Sequence, residues 1–145
     1  MLTHSLIDEK GYVAQINCEL VLSDGNILLA GEDSLIKIVN KNKESNNESC
    51  GELYLEKIKN DDGYLVNIED CKEFENGDIV CVCTDGDIAL YRKENSNNIN
   101  YTLIKINTEN YPNIKKDCIY YLEIIDANTF KCWGESGEIY FLKKN

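Results

Sequence analysis

The sequence lacks two features that would place it in a membrane or on a nucleic acid. It has no run of roughly 18 consecutive apolar residues, so a membrane-spanning helix is not expected. Basic residues are scarce: 15 Lys and Arg stand against 26 Asp and Glu, and the net charge is −11. Because nucleic acids and anionic membrane surfaces attract clustered positive charge, neither is a predicted partner. A basic protein partner is compatible with this charge.

The residues that most often build catalytic or metal sites are also few. His4 is the only histidine, and Cys81 and Cys83 have no second cysteine pair to complete a zinc site. No nucleophile–base pair or phosphate loop can be assembled from the sequence. We therefore expect no catalytic residue, no metal, no cofactor and no enzyme activity.

Cysteine usage and the first residues of the chain bear on its compartment. The seven cysteines are odd in number, and cysteines inside apolar runs, such as Cys81 and Cys83, are typical of reduced core thiols. Met1 to Lys10 contain neither a basic segment nor a long apolar one, so no secretory signal is predicted. A cytoplasmic location is the expectation.

One pattern of turns and apolar runs occurs three times, at offsets of 52 and 51 positions. Each copy reads turn, apolar run, short polar turn, apolar run, which is typical of a β-hairpin. Its recurrence at a fixed period indicates a repeat architecture. The first turn carries Gly25, Gly77 or Asn128 at the equivalent place. Glycine and asparagine enter the left-handed backbone region cheaply, so a positive φ is predicted there.

Each hairpin is preceded by an opening strand and followed by a polar outer strand. The predicted fold class is therefore all-β, a single domain of three four-stranded antiparallel repeats. The units span about residues 8–59, 60–107, and 108–145 plus 2–7. The third unit ends without an outer strand, whereas Leu2 to Ile7 align with the outer strand Tyr54 to Lys59. The N-terminal strand is accordingly predicted to complete the last unit.

The segment Asp24 to Leu28, followed by Asp33 to Ile38, resembles the repeat of WD-repeat β-propellers. The turn aspartate of the WD repeat aligns with Asp33, Asp85 and Ser136 in the three copies. The tryptophan of the WD repeat aligns with Val39, Tyr91 and Leu142. The Gly-His dipeptide of the family is absent. The resemblance implies a propeller in which each unit is a blade and an N-terminal strand closes the last blade.

Three blades do not close a ring, since propellers usually have about four to eight. Open ends would expose apolar sheet faces, so we predict a propeller-like half-ring that is completed by a partner protein or by a homodimer with six blades. The alternative is a β-trefoil, which also has three four-stranded repeats but closes as a monomer. A trefoil would favour a small-ligand or carbohydrate-binding function.

The candidate binding residues lie beside loops. Tyr12 and Tyr64 begin equivalent strands, and the stretch from Asp61 to Glu94 holds ten acidic and three basic residues. Its Asp-Gly pairs are typical of turns and lack the spacing of calcium sites. The predicted function is a non-catalytic protein–protein interaction scaffold. Its candidate partner-binding surface is formed by Tyr12, Asp61, Asp62, Tyr64, Asp85 and Asp87.

Overall fold

Thirteen strands in four antiparallel sheets are found in residues 5–40, 51–94 and 100–144, the parts of the chain that the computed structural model describes. A two-stranded hairpin comes first, with β1 at Leu6–Ile7 and β2 at Val13–Ala14. The first sheet has the order β3 (Ile16–Val21), β4 (Ile27–Gly31), β5 (Ile36–Asn40) and β6 (Gly51–Tyr54). The second sheet has the order β7 (Ile68–Glu73), β8 (Ile79–Cys83), β9 (Ile88–Glu94) and β10 (Asn100–Lys105). The third sheet has the order β11 (Ile119–Ile124), β12 (Thr129–Gly134) and β13 (Ile139–Lys143).

The predicted three-fold repeat is confirmed at the level of individual strands. The opening strands β3, β7 and β11 begin at Ile16, Ile68 and Ile119, at the offsets of 52 and 51 positions expected from the sequence. Each of these strands shifts register after its first residue, so the same bulge recurs in all three sheets. Within each sheet, strands that follow one another in sequence are hydrogen-bonded neighbours.

The three sheets pack against one another in chain order. One buried cluster joins the first and second sheets and includes Leu28, Ala30, Ile36 and Ile38 on one side and Cys71, Ile79, Cys81 and Tyr91 on the other. A second cluster joins the second and third sheets and includes Phe74, Val82 and Leu90 on one side and Leu122, Phe130 and Cys132 on the other. Both faces of the second sheet are therefore buried, and every residue of β8 is inaccessible to solvent.

The N-terminal strand does not complete the third sheet, and this corrects the expectation from the sequence. Leu6 and Ile7 pair with Ala14 and Val13, and the resulting hairpin covers the free face of the first sheet. An equivalent hairpin precedes the second sheet, where Lys59 pairs with Leu65 at the same 52-residue offset. The alignment of the N-terminus with residues 54–59 was therefore correct, but the segment stays with its own unit. Residues 1–4, including His4, lie outside the described part of the chain.

The turn before each hairpin is only partly as predicted. Gly25 and Gly77 have φ values of 89° and 97°, in the left-handed region. Asn128 is not among the residues of positive φ, because the third turn takes another path: Asp126 accepts hydrogen bonds from the backbone N–H of Asn128 and from the hydroxyl of Thr129. The side chain of Asp126 therefore organises this turn.

Several acidic side chains in the second unit hold neighbouring units together. The Asp70 carboxylate accepts a hydrogen bond from the backbone N–H of Leu122, 3.2 Å away. The Glu73 carboxylate accepts the backbone N–H of Ser23 at 2.8 Å. The negative charge of this unit is thus partly structural, and it does not form one uniform acidic face.

A buried ion pair ties the end of the chain to the second sheet. The Lys144 amine lies 3.1 Å from the Asp78 carboxylate and 4.6 Å from the centre of the Phe74 ring. Burial by itself would raise the pKa of Asp78. Hydrogen bonds from Lys93 and Asn76, together with the Lys144 amine, outweigh burial, so the pKa of Asp78 is lowered.

Replacing Lys144 by methionine should remove this pairing and destabilise the fold by about 2 kcal/mol at neutral pH. A carboxylate whose pKa is lower in the folded state stabilises the fold at a pH above the pKa of the unfolded state. This stabilisation is lost as the pH falls through the pKa of the folded state. The difference between wild type and Lys144→Met should therefore shrink as the pH is lowered below about 4. Urea unfolding across this range measures it, with the exposed neighbour substitution Lys143→Met as control. A difference independent of pH would contradict the assignment.

Candidate interaction surface

The third sheet differs from the other two because one of its faces is open to solvent. Side chains alternate along its strands, so that Leu122, Cys132 and Tyr140 point into the cluster shared with the second sheet. The residues between them point the other way. Among these, Tyr121, Phe141 and Ile139 are 55%, 54% and 46% exposed, respectively.

The strand register arranges this open face in two cross-strand rows. One row consists of Tyr121, Trp133 and Ile139, and the other consists of Glu123, Lys131 and Phe141. We call these six residues the aromatic face. Within it, the rings of Tyr121 and Trp133 have centroids 5.8 Å apart, at an interplanar angle of 32°. The rings therefore lie side by side on the middle of the sheet.

The repeat shows what this face would normally contact. Tyr121, Trp133, Ile139 and Phe141 correspond in position to Asp70, Val82, Ile88 and Leu90 of the second sheet, and to Cys18, Ala30, Ile36 and Ile38 of the first. At the position of Phe141, Leu90 is 0% exposed and Ile38 is 2% exposed, because each packs against the following sheet. The aromatic face is thus a sheet–sheet contact surface that has no following sheet in the described residues.

Lys131 stands at the centre of this face, where Leu28 and Val80 occupy the equivalent positions in the other sheets. Its amine lies 3.9 Å from the Glu123 carboxylate and 5.8 Å from the centre of the Trp133 ring. A charged side chain at this position keeps a large apolar face soluble and favours a partner that can accommodate a cation.

The outer edge of the third sheet is also distinctive. In the first and second sheets a fourth strand pairs with β5 or β9, but no described strand pairs with the equivalent β13. At this edge the backbone N–H of Phe141 donates a hydrogen bond to the Tyr111 hydroxyl, 3.2 Å away. The tyrosine satisfies an edge donor that would otherwise face water or a foreign strand.

The candidate residues predicted from the sequence lie elsewhere. Tyr12 lies on the turn of the N-terminal hairpin, and Asp61, Asp62 and Tyr64 lie on the equivalent turn before β7. Asp85 is exposed on the turn between β8 and β9. These side chains are accessible, with Tyr64 71% exposed, but they belong to three separate turns and form no continuous sheet face.

Asp87 corrects the prediction, since it is buried and unavailable to a partner. Its carboxylate forms an ion pair with Lys115, which lies in the segment leading to the third sheet. The Asp-Gly-Asp sequence around it is therefore a turn in which one aspartate is exposed and the other is a structural link.

The most concentrated polar cluster in the described residues is structural. Asp117 accepts hydrogen bonds from the hydroxyls of Ser136 and Tyr140, at 2.5 and 2.6 Å. Burial opposes ionisation of Asp117, but these hydrogen bonds outweigh it and lower its pKa. Burial and the neighbouring carboxylate raise the pKa of Tyr140 to about 12, so its hydroxyl remains a donor. These hydrogen bonds fix the last turn in place.

The buried cysteines behave as core residues. The Sγ atoms of Cys71 and Cys81 lie 3.0 Å apart in the cluster between the first and second sheets, and both side chains are fully buried. Burial raises the pKa of both thiols, which keeps them protonated and unreactive. Among the described residues, no group of three or more His, Cys, Asp or Glu side chains is arranged to hold a metal ion.

A cleft of about 370 Å³ lies between the N-terminal hairpin and the first sheet. Its lining includes Ile7, Leu35 and Tyr54, with Glu9 and Lys57 at its charged rim. The charged side chains of this rim are at least partly exposed, whereas small-ligand pockets usually bury a few well-placed polar groups. This cleft gives the small-ligand alternative less support than the aromatic face gives an interaction surface.

Sequence reasoning missed the aromatic face. Trp133 aligns with Ala30 and Val82, both of which are fully buried. Trp133 does lie on the central strand, but on its open side and only half-buried. The useful signal was the change at equivalent positions from small or aliphatic residues to Trp133 and Phe141.

Comparison of the chain with protein-family models gave no match, and comparison with the curated proteins also gave none. No helix in the described residues is long and apolar enough to cross a membrane.

Proposed function

We propose that the chain is a non-catalytic protein–protein interaction scaffold and that the aromatic face is its docking surface. One observation carries this proposal. Trp133, Ile139 and Phe141 occupy positions that are buried sheet–sheet contacts in the two preceding sheets, yet here Ile139 and Phe141 are exposed and Trp133 is only half-buried. Monomeric proteins seldom expose a contiguous apolar sheet face, and aromatic residues are enriched where proteins meet.

The stacked sheets suit this function because they hold the face rigidly. The inner side of the third sheet packs on Phe74, Val82 and Leu90, so the strands that carry the aromatic residues are fixed before any partner arrives. A rigid surface loses little conformational freedom on binding, and binding energy is then retained as affinity. The resemblance to WD-repeat propellers is consistent with this proposal, since it concerns the same strand order.

The double substitution Tyr121→Ser with Phe141→Ser is expected to reduce partner capture at least about tenfold, because exposed aromatic side chains are common hot spots at interfaces. The intact chain, immobilised, would be exposed to an extract of its source cells, and the retained proteins quantified by mass spectrometry. The matched control is Tyr12→Ser with Tyr64→Ser, which removes two exposed tyrosines from the turns.

The two variants separate the two surfaces. The face variant is Tyr121→Ser with Phe141→Ser, and the turn variant is Tyr12→Ser with Tyr64→Ser. Loss of partner capture by the face variant, with capture retained by the turn variant, supports the proposal. Equal capture by wild type and the face variant would contradict it, and loss only in the turn variant would return the site to the turns predicted from the sequence. Circular dichroism and urea unfolding establish that both variants remain folded.

A further inference from the structure

We infer that the aromatic face binds the same face of a second copy of this chain, about a twofold axis. This inference rests on the proposed function and specifies its partner. The axis would lie in the plane of the interface and run across the strands. It would pass above the buried row formed by Leu122, Cys132 and Tyr140. Such an axis places each row of one aromatic face opposite the other row of the second copy.

The two rows are complementary to each other under this operation. Tyr121 would face Glu123 of the second copy, where its hydroxyl can donate a hydrogen bond to a carboxylate. Trp133 would face Lys131 of the second copy, so that the amine lies over an aromatic ring, as it already does within one chain. Ile139 would face Phe141 of the second copy, and both are apolar. Every contact type then occurs twice, as a twofold interface requires.

Charge also favours this occupant. The chain as a whole carries a net charge of −11, so most of its surface repels another copy. The aromatic face is neutral, because it holds one anion, Glu123, and one cation, Lys131, at 3.9 Å from each other. Two acidic copies can therefore approach one another here without bringing like charges together.

The six-bladed homodimer predicted from the sequence would join the last sheet of one copy to the first sheet of the other, and so requires a second open face. In the part of the chain that the structure describes, the other terminal face is that of the first sheet, where Ile27, Leu29 and Val39 are buried in a cluster with Leu6 and Ala14. Because that face is covered, the third sheet of one copy cannot pack on the first sheet of another to close a ring. A closed twofold pair uses the aromatic face alone.

The size of the face sets the expected affinity. Large aromatic side chains bury about 150–250 Å² each when fully covered, and those of this face are already about half covered. Two copies would therefore bury about 1,000 Å² in total, at the lower end for specific interfaces. Interfaces of this size are typical of weak, transient complexes, so we expect association in the micromolar range.

Sedimentation equilibrium of the intact wild-type chain tests the inference. The mass should rise from 16.6 kDa towards twice that value as the concentration passes through the micromolar range. The emission of Trp133 should move to shorter wavelength over the same range, since the ring becomes buried. A mass that stays at 16.6 kDa at every concentration would overturn the inference.

The twofold geometry has its own test. Ile139→Asp alone and Phe141→Lys alone should each remain monomeric, because each places two unpaired charges against apolar side chains of the second copy. An equimolar mixture of the two variants should recover the dimer. In the mixed pair the introduced carboxylate at position 139 faces the introduced amine at position 141, and the other contact remains Ile139 against Phe141. Val21→Asp, an exposed position on the first sheet, is the control and should dimerise as wild type does.

Failure of the mixture to recover the dimer would overturn this geometry, as would dimerisation of either single variant alone. These outcomes are separate from those of the capture experiment. The wild type could prove monomeric while its capture of a partner still depends on Tyr121 and Phe141. That result would contradict a second copy as the occupant of the aromatic face, and it would still support the scaffold function.

Discussion

Replacing Gly134 by alanine is expected to destabilise the fold by about 3 kcal/mol or more, the range of severe single substitutions. Gly134 ends β12, where its chain passes close to the segment that leads into β11. A Cβ atom at this position would lie 1.7 Å from the carbonyl oxygen of Cys118 and 2.7 Å from its carbonyl carbon. Both atoms are backbone, so the clash is relieved only by moving one strand away from the other.

The same close approach recurs in the first sheet, whereas Cys83 occupies the equivalent position in the second sheet. A Cβ on Gly31 would lie 1.9 Å from the carbonyl oxygen of Gln15, at the position equivalent to Cys118. In both places the residue after the glycine donates its backbone N–H to that carbonyl, from Glu32 to Gln15 and from Glu135 to Cys118. Gly31→Ala should therefore be destabilising to a similar degree.

Gly137→Ala is the matched control for Gly134→Ala. Gly137 has a φ of 80°, but a Cβ there would have no neighbour within 4 Å. Its expected cost is only that of an alanine in the left-handed region, about 1–2 kcal/mol. Urea unfolding of the two variants measures the difference. Equal costs for Gly134→Ala and Gly137→Ala would show that the close strand approach is absent.

The second large effect concerns equivalent positions in two sheets. Leu90→Ala should cost about 2–5 kcal/mol, because Leu90 is fully buried between the second and third sheets and its truncation leaves a cavity. Phe141→Ala, one repeat later, should cost less than about 1 kcal/mol in dilute solution. Phe141 is the larger side chain, but it is 54% exposed. Burial is therefore expected to reverse the order that side-chain size alone would give.

Thermal or urea unfolding at protein concentrations well below the micromolar range measures this comparison in the monomer. A cost for Phe141→Ala as large as that for Leu90→Ala would mean that the third sheet is covered by part of the chain itself. That result would remove the basis for an open docking face.

Hydrophobic alternation and the fixed period were sufficient to predict the all-β repeat. Ile16, Ile68 and Ile119 begin equivalent strands because the period is written into local residue patterns, which also set the side of each strand that is apolar. Strand order followed from the same information, since hairpins place neighbouring strands side by side.

Long-range placement was less accessible from the sequence. Leu6 and Ile7 align with residues that the sequence assigned to an outer strand, but that strand, β6, ends at Tyr54. Alignment alone cannot say whether Leu6 and Ile7 pair with β13 or with their own following strand. That choice depends on loop reach and on packing against Leu29 and Val39, which are tertiary features. Burial of Asp87 likewise depends on Lys115, a partner 28 residues away.

The candidate site was difficult to predict for a related reason. Trp133 and Phe141 have the alternation of core residues, and nothing local distinguishes an apolar face that is covered from one that is open. The distinction arises only when the sheets are counted and the last one is found to have no neighbour in the described residues. Lys131, at a position that is aliphatic in the other two sheets, was a second sequence signal of this difference, beside the change to aromatic residues at equivalent positions.

Trp133 allows the openness of the aromatic face to be measured directly, because it is the only tryptophan in the chain. Its fluorescence should be quenched readily by acrylamide when the protein is dilute. Quenching should become weaker as the protein concentration rises into the range in which the chain self-associates. Short-wavelength emission that resists acrylamide even in the dilute monomer would contradict an open third sheet and, with it, the docking surface.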